Sequence, residues 1–262
     1  MSLEQPSNLI LANWKMNLSV SQSIGLTKAL VSGLNKIPQP LNFSVALCPS
    51  FPVLAAVGAL VKNKVNFSLG AQDVFWQGSG PYTGEVSPAM LAELGVKYVI
   101  VGHSERRQYL KETSDMIRHK VIAVLEQGLI PVLCVGETYA QRQAGQRDSV
   151  LSEQLNCALS GVNITGKNKI IIAYEPVWAI GTGQAVTQPE VNQAVRVIED
   201  VLFELWSSDT VRRQLRIIYG GSVDKNNISN YINGDLLAGA LVGGASLQAA
   251  DFLKLLRHLA TL

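Results

Sequence analysis

The chain has 262 residues, 47% apolar and 16% charged, with a formal net charge of +2. This composition fits a compact protein with a large core, and it lacks the strongly basic or acidic balance that draws nucleic acid or another highly charged partner. Cys48, Cys134 and Cys157 make no close pair and no metal-type spacing, so neither a disulfide framework nor a metal site is expected. Residues Met1 to Asn8 are polar and lack a signal-peptide core, and no apolar run approaches the roughly 20 residues that span a bilayer. The expected location is the cytoplasm, with no membrane partner.

In chain order, short apolar runs alternate with longer helix-like stretches. The runs Leu9–Ala12, Phe43–Leu47, Phe67–Gly70, Tyr98–Val101, Ile130–Val135, Ile170–Tyr174, Leu215–Tyr219 and Leu237–Val242 are mostly apolar instead of alternating, as in parallel strands buried on both faces. Between the fourth and fifth runs, Ile117, Val121 and Val124 share a helix face, and Gly128 stands where a helix C-terminus favours glycine. Later, Val191, Val195, Ile198, Leu202 and Leu205 line one face of a helix, with Thr187 and Glu190 as a capping box at its start. Eight strand–helix units in 262 residues average about 33 residues each, the size of a unit of a (β/α)8 barrel. Residues 1–262 are expected to form one such domain. A doubly wound sheet could be built from the same elements, so the choice between them rests on the motifs.

Two glycine motifs do not fit phosphate or dinucleotide loops. Gly161-x4-Gly166-Lys167 has Asn168 where a magnesium-holding Ser or Thr is needed, and it precedes a strand. Gly181-Thr182-Gly183 runs on to Val186 where a third glycine belongs, after a connection too long for a tight turn. The strand ends are more informative. Asn13 and Lys15 follow the first strand, His103 and Glu105 the fourth, and Glu175 ends the sixth. Gly220-Gly221-Ser222 follows the seventh, and Gly243-Gly244 the eighth. In a parallel barrel all these ends share one rim, so a carboxylate, a cation, an imidazole and two glycine turns would converge.

At these positions the chain resembles the triosephosphate isomerase family. The resemblance rests on Ala12-Asn13-Trp14-Lys15-Met16-Asn17, Val101-Gly102-His103-Ser104-Glu105-Arg106-Arg107 and Ala173-Tyr174-Glu175-Pro176-Val177-Trp178-Ala179-Ile180-Gly181-Thr182-Gly183. Tyr219-Gly220-Gly221-Ser222-Val223 and Val242-Gly243-Gly244-Ala245-Ser246-Leu247 complete it, in the family's order from about Leu9 to the C-terminus. It implies a TIM barrel, no cofactor, and interconversion of D-glyceraldehyde 3-phosphate and dihydroxyacetone phosphate through an enediolate, in glycolysis and gluconeogenesis.

That reaction needs a base at carbon, an electrophile at the oxygens and a grip on the phosphate. By resemblance Glu175 is the base, with Pro176 fixing the turn beyond it. His103 is the electrophile: a helix starts just past it, and the positive end of its dipole favours a neutral imidazole over a second cation. A lone Lys or Glu is usually solvated surface charge, but Lys15 stands between Trp14 and Met16 just past a buried strand. It is expected to supply positive charge, Asn13 an orienting contact, and Glu105 support for Lys15. Gly181, Ser222, Gly243 and Gly244 match the phosphate-binding positions, where backbone N–H groups approach the anion. His119 and His258, on helices, and Cys134, within a strand, are expected to be structural.

The family more often has Asn at Asp73 and Lys at Gln184. The Phe75–Pro88 segment looks like the family's long loop that inserts into a partner subunit, implying a homodimer with Glu85 facing Arg106 across the interface. Pro176 to Gly183 looks like a lid with the apolar tip Val177-Trp178-Ala179-Ile180. Another phosphate-binding barrel isomerase would share the glycine turns but lack the Lys15, His103 and Glu175 set. A catalytically silent barrel acting as a binding protein would have lost one of the three.

Overall fold

The computed structural model describes residues 8–39, 41–180, 186–232 and 237–262. Eight parallel strands close into a barrel in sequence order: β1 Asn8–Asn13, β2 Phe43–Cys48, β3 Phe67–Ala71, β4 Val96–Val101, β5 Ile130–Val135, β6 Ile170–Tyr174, β7 Leu215–Tyr219 and β8 Gly239–Val242. β1 pairs with β2 in the register Asn8↔Phe43 and with β8 in the register Leu9↔Gly239, which closes the ring. The expected (β/α)8 architecture is therefore the observed one.

Why the strands are mostly apolar follows from their two buried faces. Leu9, Leu11, Ala46, Cys48, Ile100, Val132, Cys134, Ile171, Ala173, Ile218 and Leu241 belong to one cluster, which fills the barrel. Their alternates, including Ile10, Ala12, Val45, Leu47, Leu133 and Ile172, belong to a second cluster with the surrounding helices. With two apolar environments, neither parity of a strand has a reason to be polar. β4 begins two residues earlier than expected because Lys97 is exposed and interrupts the apolar run after Val96. β8 begins at Gly239, two residues later than expected, although Ala238 already bonds to Ile217 O and Leu9 N.

Helices fill the connections: Val20–Leu34, Phe51–Val61, Pro88–Glu93, Ser104–Tyr109 with Ser114–Glu126, Tyr139–Gln143 with Arg147–Leu159, Gln188–Leu205 with Ser208–Gln214, Ile228–Ile232 and Ala249–Leu259. The face expected for Gln188–Leu205 is buried at Val191, Val195, Ile198 and Leu202, with Leu205 at its half-buried edge. Its capping box is present: the Thr187 N–H and hydroxyl both donate to Glu190 Oε2, at 3.1 and 2.7 Å. Ile117, Val121 and Val124 are the buried face of Ser114–Glu126. Among the described residues no helix is long and apolar enough to cross a membrane.

Candidate active site

The inward parity of the strands leads directly to the rim. Leu9 and Leu11 are followed on the same parity by Asn13, and Ile171 and Ala173 by Glu175, so these two polar groups cap rows of barrel-filling side chains. On β4 the inward position after Ile100 is Gly102, whose φ of +72° turns the chain. The next residue, His103, then caps the helix Ser104–Tyr109 from the barrel mouth.

These residues meet in a cavity of about 270 Å³ lined by Asn13, Lys15, His103, Glu175, Ser222, Gly243 and Gly244. Thus every expected site residue lines one cavity, apart from Gly181, which lies outside the described residues, as does Gln184. Leu241 forms part of the floor, and Ile180 and Asp224 join the wall. His119 and His258 stand on helices elsewhere.

Glu175 is 1% exposed. Its Oε2 accepts from the Ser104 N–H at 3.1 Å, while Oε1 has no hydrogen-bond partner among the described residues. Oε1 lies 3.3 Å from His103 Nε2, without hydrogen-bond alignment. On the other side of the ring, His103 Nδ1 accepts from the Glu105 N–H at 3.3 Å. An accepting Nδ1 places the proton of a neutral imidazole on Nε2, which faces the cavity and Glu175. The backbone of Glu175 is held by its N–H donating to Val135 O at 2.8 Å. Gly136 makes this approach possible, because a Cβ there would stand 1.7 Å from Glu175 O.

Lys15 takes a left-handed backbone, φ 51°. Its N–H donates to Asn13 Oδ1 at 3.0 Å, and its carbonyl accepts from Gln72 Nε2 at 2.9 Å. Its ammonium donates to Glu105 Oε1 at 2.6 Å, the supporting contact expected of Glu105. Opposite stands the Ser222 turn, where Asn227 Nδ2 donates to Ser222 O at 3.1 Å and Asp224 accepts from the N–H groups of Asn226 and Asn227. Cys134 is fully buried beside the base, and burial first, then the Glu175 carboxylate, push its thiol well above the ordinary value. It is a core residue, as expected.

The segment after Glu175 is one turn of 3-10 helix, Val177–Ala179. Trp178 Nε1 donates to Glu137 Oε1 at 2.7 Å, the Arg142 guanidinium lies 3.8 Å from its ring centroid, and Ala179 is fully buried. The expected apolar tip is therefore docked at this end. Asp73, the departure from the family pattern, lies in a buried charge group: it pairs with Lys120 at 2.6 Å and Arg106 at 2.8 Å, and Lys120 also pairs with Glu112. Burial pushes the Asp73 carboxyl up, and Lys120 and Arg106 pull it down. Arg106, the expected cross-interface partner of Glu85, is thus already engaged within its own chain.

Sequence reading missed Ser104 as a backbone donor to the base, Gln72 as a clamp on Lys15, and Glu137 as the anchor of Trp178. Ser104 lies within the Val101–Arg107 motif and Gln72 adjoins Asp73, and that placement was the one signal available.

The fold and site define a (β/α)8 barrel with a small polar cavity at the C-terminal ends of its strands. A family model described as triosephosphate isomerase matches residues 8–259. Similar proteins named triosephosphate isomerase include one from Caldanaerobacter subterraneus subsp. tengcongensis, 43% identical over 95% of this chain and 98% of its own length. Others from a Thermoanaerobacter species and from Chloroflexus aurantiacus are each 42% identical, again over 95% and 98% of the two chains. The chain belongs to the triosephosphate isomerase family and is an isomerase.

Proposed function

We propose that the chain interconverts D-glyceraldehyde 3-phosphate and dihydroxyacetone phosphate, using residues 1–262 as one barrel domain. The observation that carries this reading is that buried Glu175 Oε1, without a hydrogen bond among the described residues, faces His103 Nε2 in the same cavity as Lys15 and the Gly243-Gly244 turn. Glu175 takes a proton from the carbon next to the carbonyl, and the C–H electron pair becomes the C=C bond of the enediolate. The carbonyl electrons move onto oxygen, where the His103 Nε2–H and the Lys15 ammonium stabilise them. The hydroxyl proton then shifts from one enediolate oxygen to the other, and return of the abstracted proton to the neighbouring carbon completes the isomerisation without a net redox change and without a cofactor. Asn13 orients Lys15, and the backbone at Ser222, Gly243 and Gly244, with Gly181, holds the phosphate. The setting we propose is cytoplasmic glycolysis and gluconeogenesis, in a homodimer.

Glu175→Gln tests the base, since the amide keeps the shape and removes the proton acceptor. Turnover in a coupled assay with glyceraldehyde 3-phosphate is expected to fall by several orders of magnitude, with substrate binding retained. Near-wild-type turnover would remove Glu175 from the mechanism.

A further inference from the structure

Arg107 lies on the helix Ser104–Tyr109 outside the cavity, and its three hydrogen-bond acceptors among the described residues are neutral. Its Nε donates to Gly102 O at 2.8 Å, Nη2 to Cys134 O at 3.1 Å and Nη1 to Ser114 Oγ at 3.4 Å. The first acceptor is the peptide immediately before His103. The second lies on β5, one residue before Val135, whose carbonyl holds the Glu175 N–H. A rigid planar fork therefore joins the turn that carries the imidazole to β5, the neighbouring strand to which the Glu175 backbone is hydrogen-bonded. The packing is close, because a Cβ on Gly102 would stand 3.1 Å from Arg107 Nη2 and 2.8 Å from Ile117 Cδ1. Burial pulls the guanidinium below its ordinary value, and Cys134, Glu112 and Glu175 push back. Among the described residues this half-buried cation has no carboxylate contact, which is costly, and its grip on two backbone carbonyls is the compensation visible here.

We infer that Arg107 is a positioning residue for the isomerisation, setting the distance between the His103 turn and β5, on whose Val135 carbonyl the Glu175 backbone is held. This rests on the reading of Glu175 as base and His103 as electrophile. A misplacement of about 1 Å between reacting groups lowers a rate by about 100-fold, so the effect belongs in kcat. KM depends more on the Ser222 and Gly243-Gly244 turns across the cavity, which Arg107 does not touch.

The test uses the full chain with Arg107→Ala, Arg107→Lys and Arg107→Ala combined with Glu175→Gln. Arg107→Ala is expected to lower kcat by about 30- to 100-fold with KM changed less than about threefold. Arg107→Lys keeps the charge but not the fork and is expected to lose at least about tenfold in kcat. A cavity of about 540 Å³ lined by Arg107, Gly102, Cys134 and Glu175 gives solvent access to the vacated site. Millimolar guanidinium ion should therefore restore part of the lost kcat in Arg107→Ala. Added to Glu175→Gln, the same substitution should cost less than about threefold, because no base is left to align. The inference is overturned if folded Arg107→Ala keeps kcat within about twofold of wild type, or if the loss is undiminished in the Glu175→Gln background. Should Arg107→Ala fail to fold, an unchanged kcat in Arg107→Lys overturns it equally. Failure of the underlying reading shows separately, as near-wild-type turnover in Glu175→Gln alone.

Discussion

Lys15 is gripped at three points: its N–H by Asn13, its carbonyl by Gln72 and its ammonium by Glu105. A left-handed backbone at a non-glycine residue costs about 1–3 kcal/mol and persists only where its surroundings impose it. The three contacts do so, and together they aim the ammonium into the cavity beside Gly243, where a Cβ would meet Lys15 Cε at 3.6 Å. Lys15→Met keeps the length and removes the charge. Steady-state kinetics should show kcat/KM falling by at least about 100-fold, the effect of losing about 3 kcal/mol of electrostatic stabilisation. A loss below tenfold would take Lys15 out of the chemistry.

The element that follows Glu175 joins chemistry to stability. Trp178 and the Tyr174 hydroxyl both donate to Glu137, and Arg142 stacks on Trp178 while pairing with Glu190 at the start of the next long helix. If Val177–Ile180 shields the enediolate from water, its deletion should leave a folded barrel with poor turnover and more phosphate elimination to methylglyoxal. Measuring both products in one assay separates the roles: slow isomerisation with no rise in methylglyoxal would leave only the rate role.

Glu190 also gives this element a pH dependence. The Thr187 hydroxyl first, then its backbone N–H and Arg142, hold the Glu190 carboxyl below its ordinary value. A depressed folded value means stability that is present above the unfolded carboxylate range, about 4.3, and lost as pH falls through the folded value. The Tm gap between wild type and Glu190→Ala should therefore be open at pH 7 and narrow on acidification below about pH 4. A gap that is the same at both pH values would show that the ionised carboxylate contributes nothing.

On the scale of the whole molecule, Met16 is 96% exposed on the same rim as the site, and Tyr82 is 41% exposed on the Phe75–Pro88 loop. That loop is closed at its root by Phe75 N–H to Val86 O at 2.8 Å and braced by Phe75 against Trp76 and Tyr82. A braced loop carrying exposed apolar groups suits insertion into a second copy. Light scattering at micromolar concentration should give about twice the 28.3 kDa chain mass. A stable, active monomer would refute the dimer.

By itself the sequence determined the barrel's eight strands, because each is buried on both faces and so shows as a mostly apolar run, broken only at half-buried positions such as Ser44, Ser68 and Arg216 and at exposed Lys97. It also marked Asn13 and Glu175, which continue inward rows to the strand ends. It misjudged the start of β4, where exposed Lys97 breaks the run, and of β8, whose first two apolar residues precede the paired ladder. Apart from Glu105, the groups that hold the site in shape were decided by tertiary structure alone. Gln72 reaches Lys15 across 57 residues, Arg107 reaches Cys134 across 27, and Trp178 reaches Glu137 across 41. These are ordinary polar side chains in ordinary segments. What makes each a clamp is which strand ends the closed barrel brings side by side, and hydrophobic periodicity is blind to that.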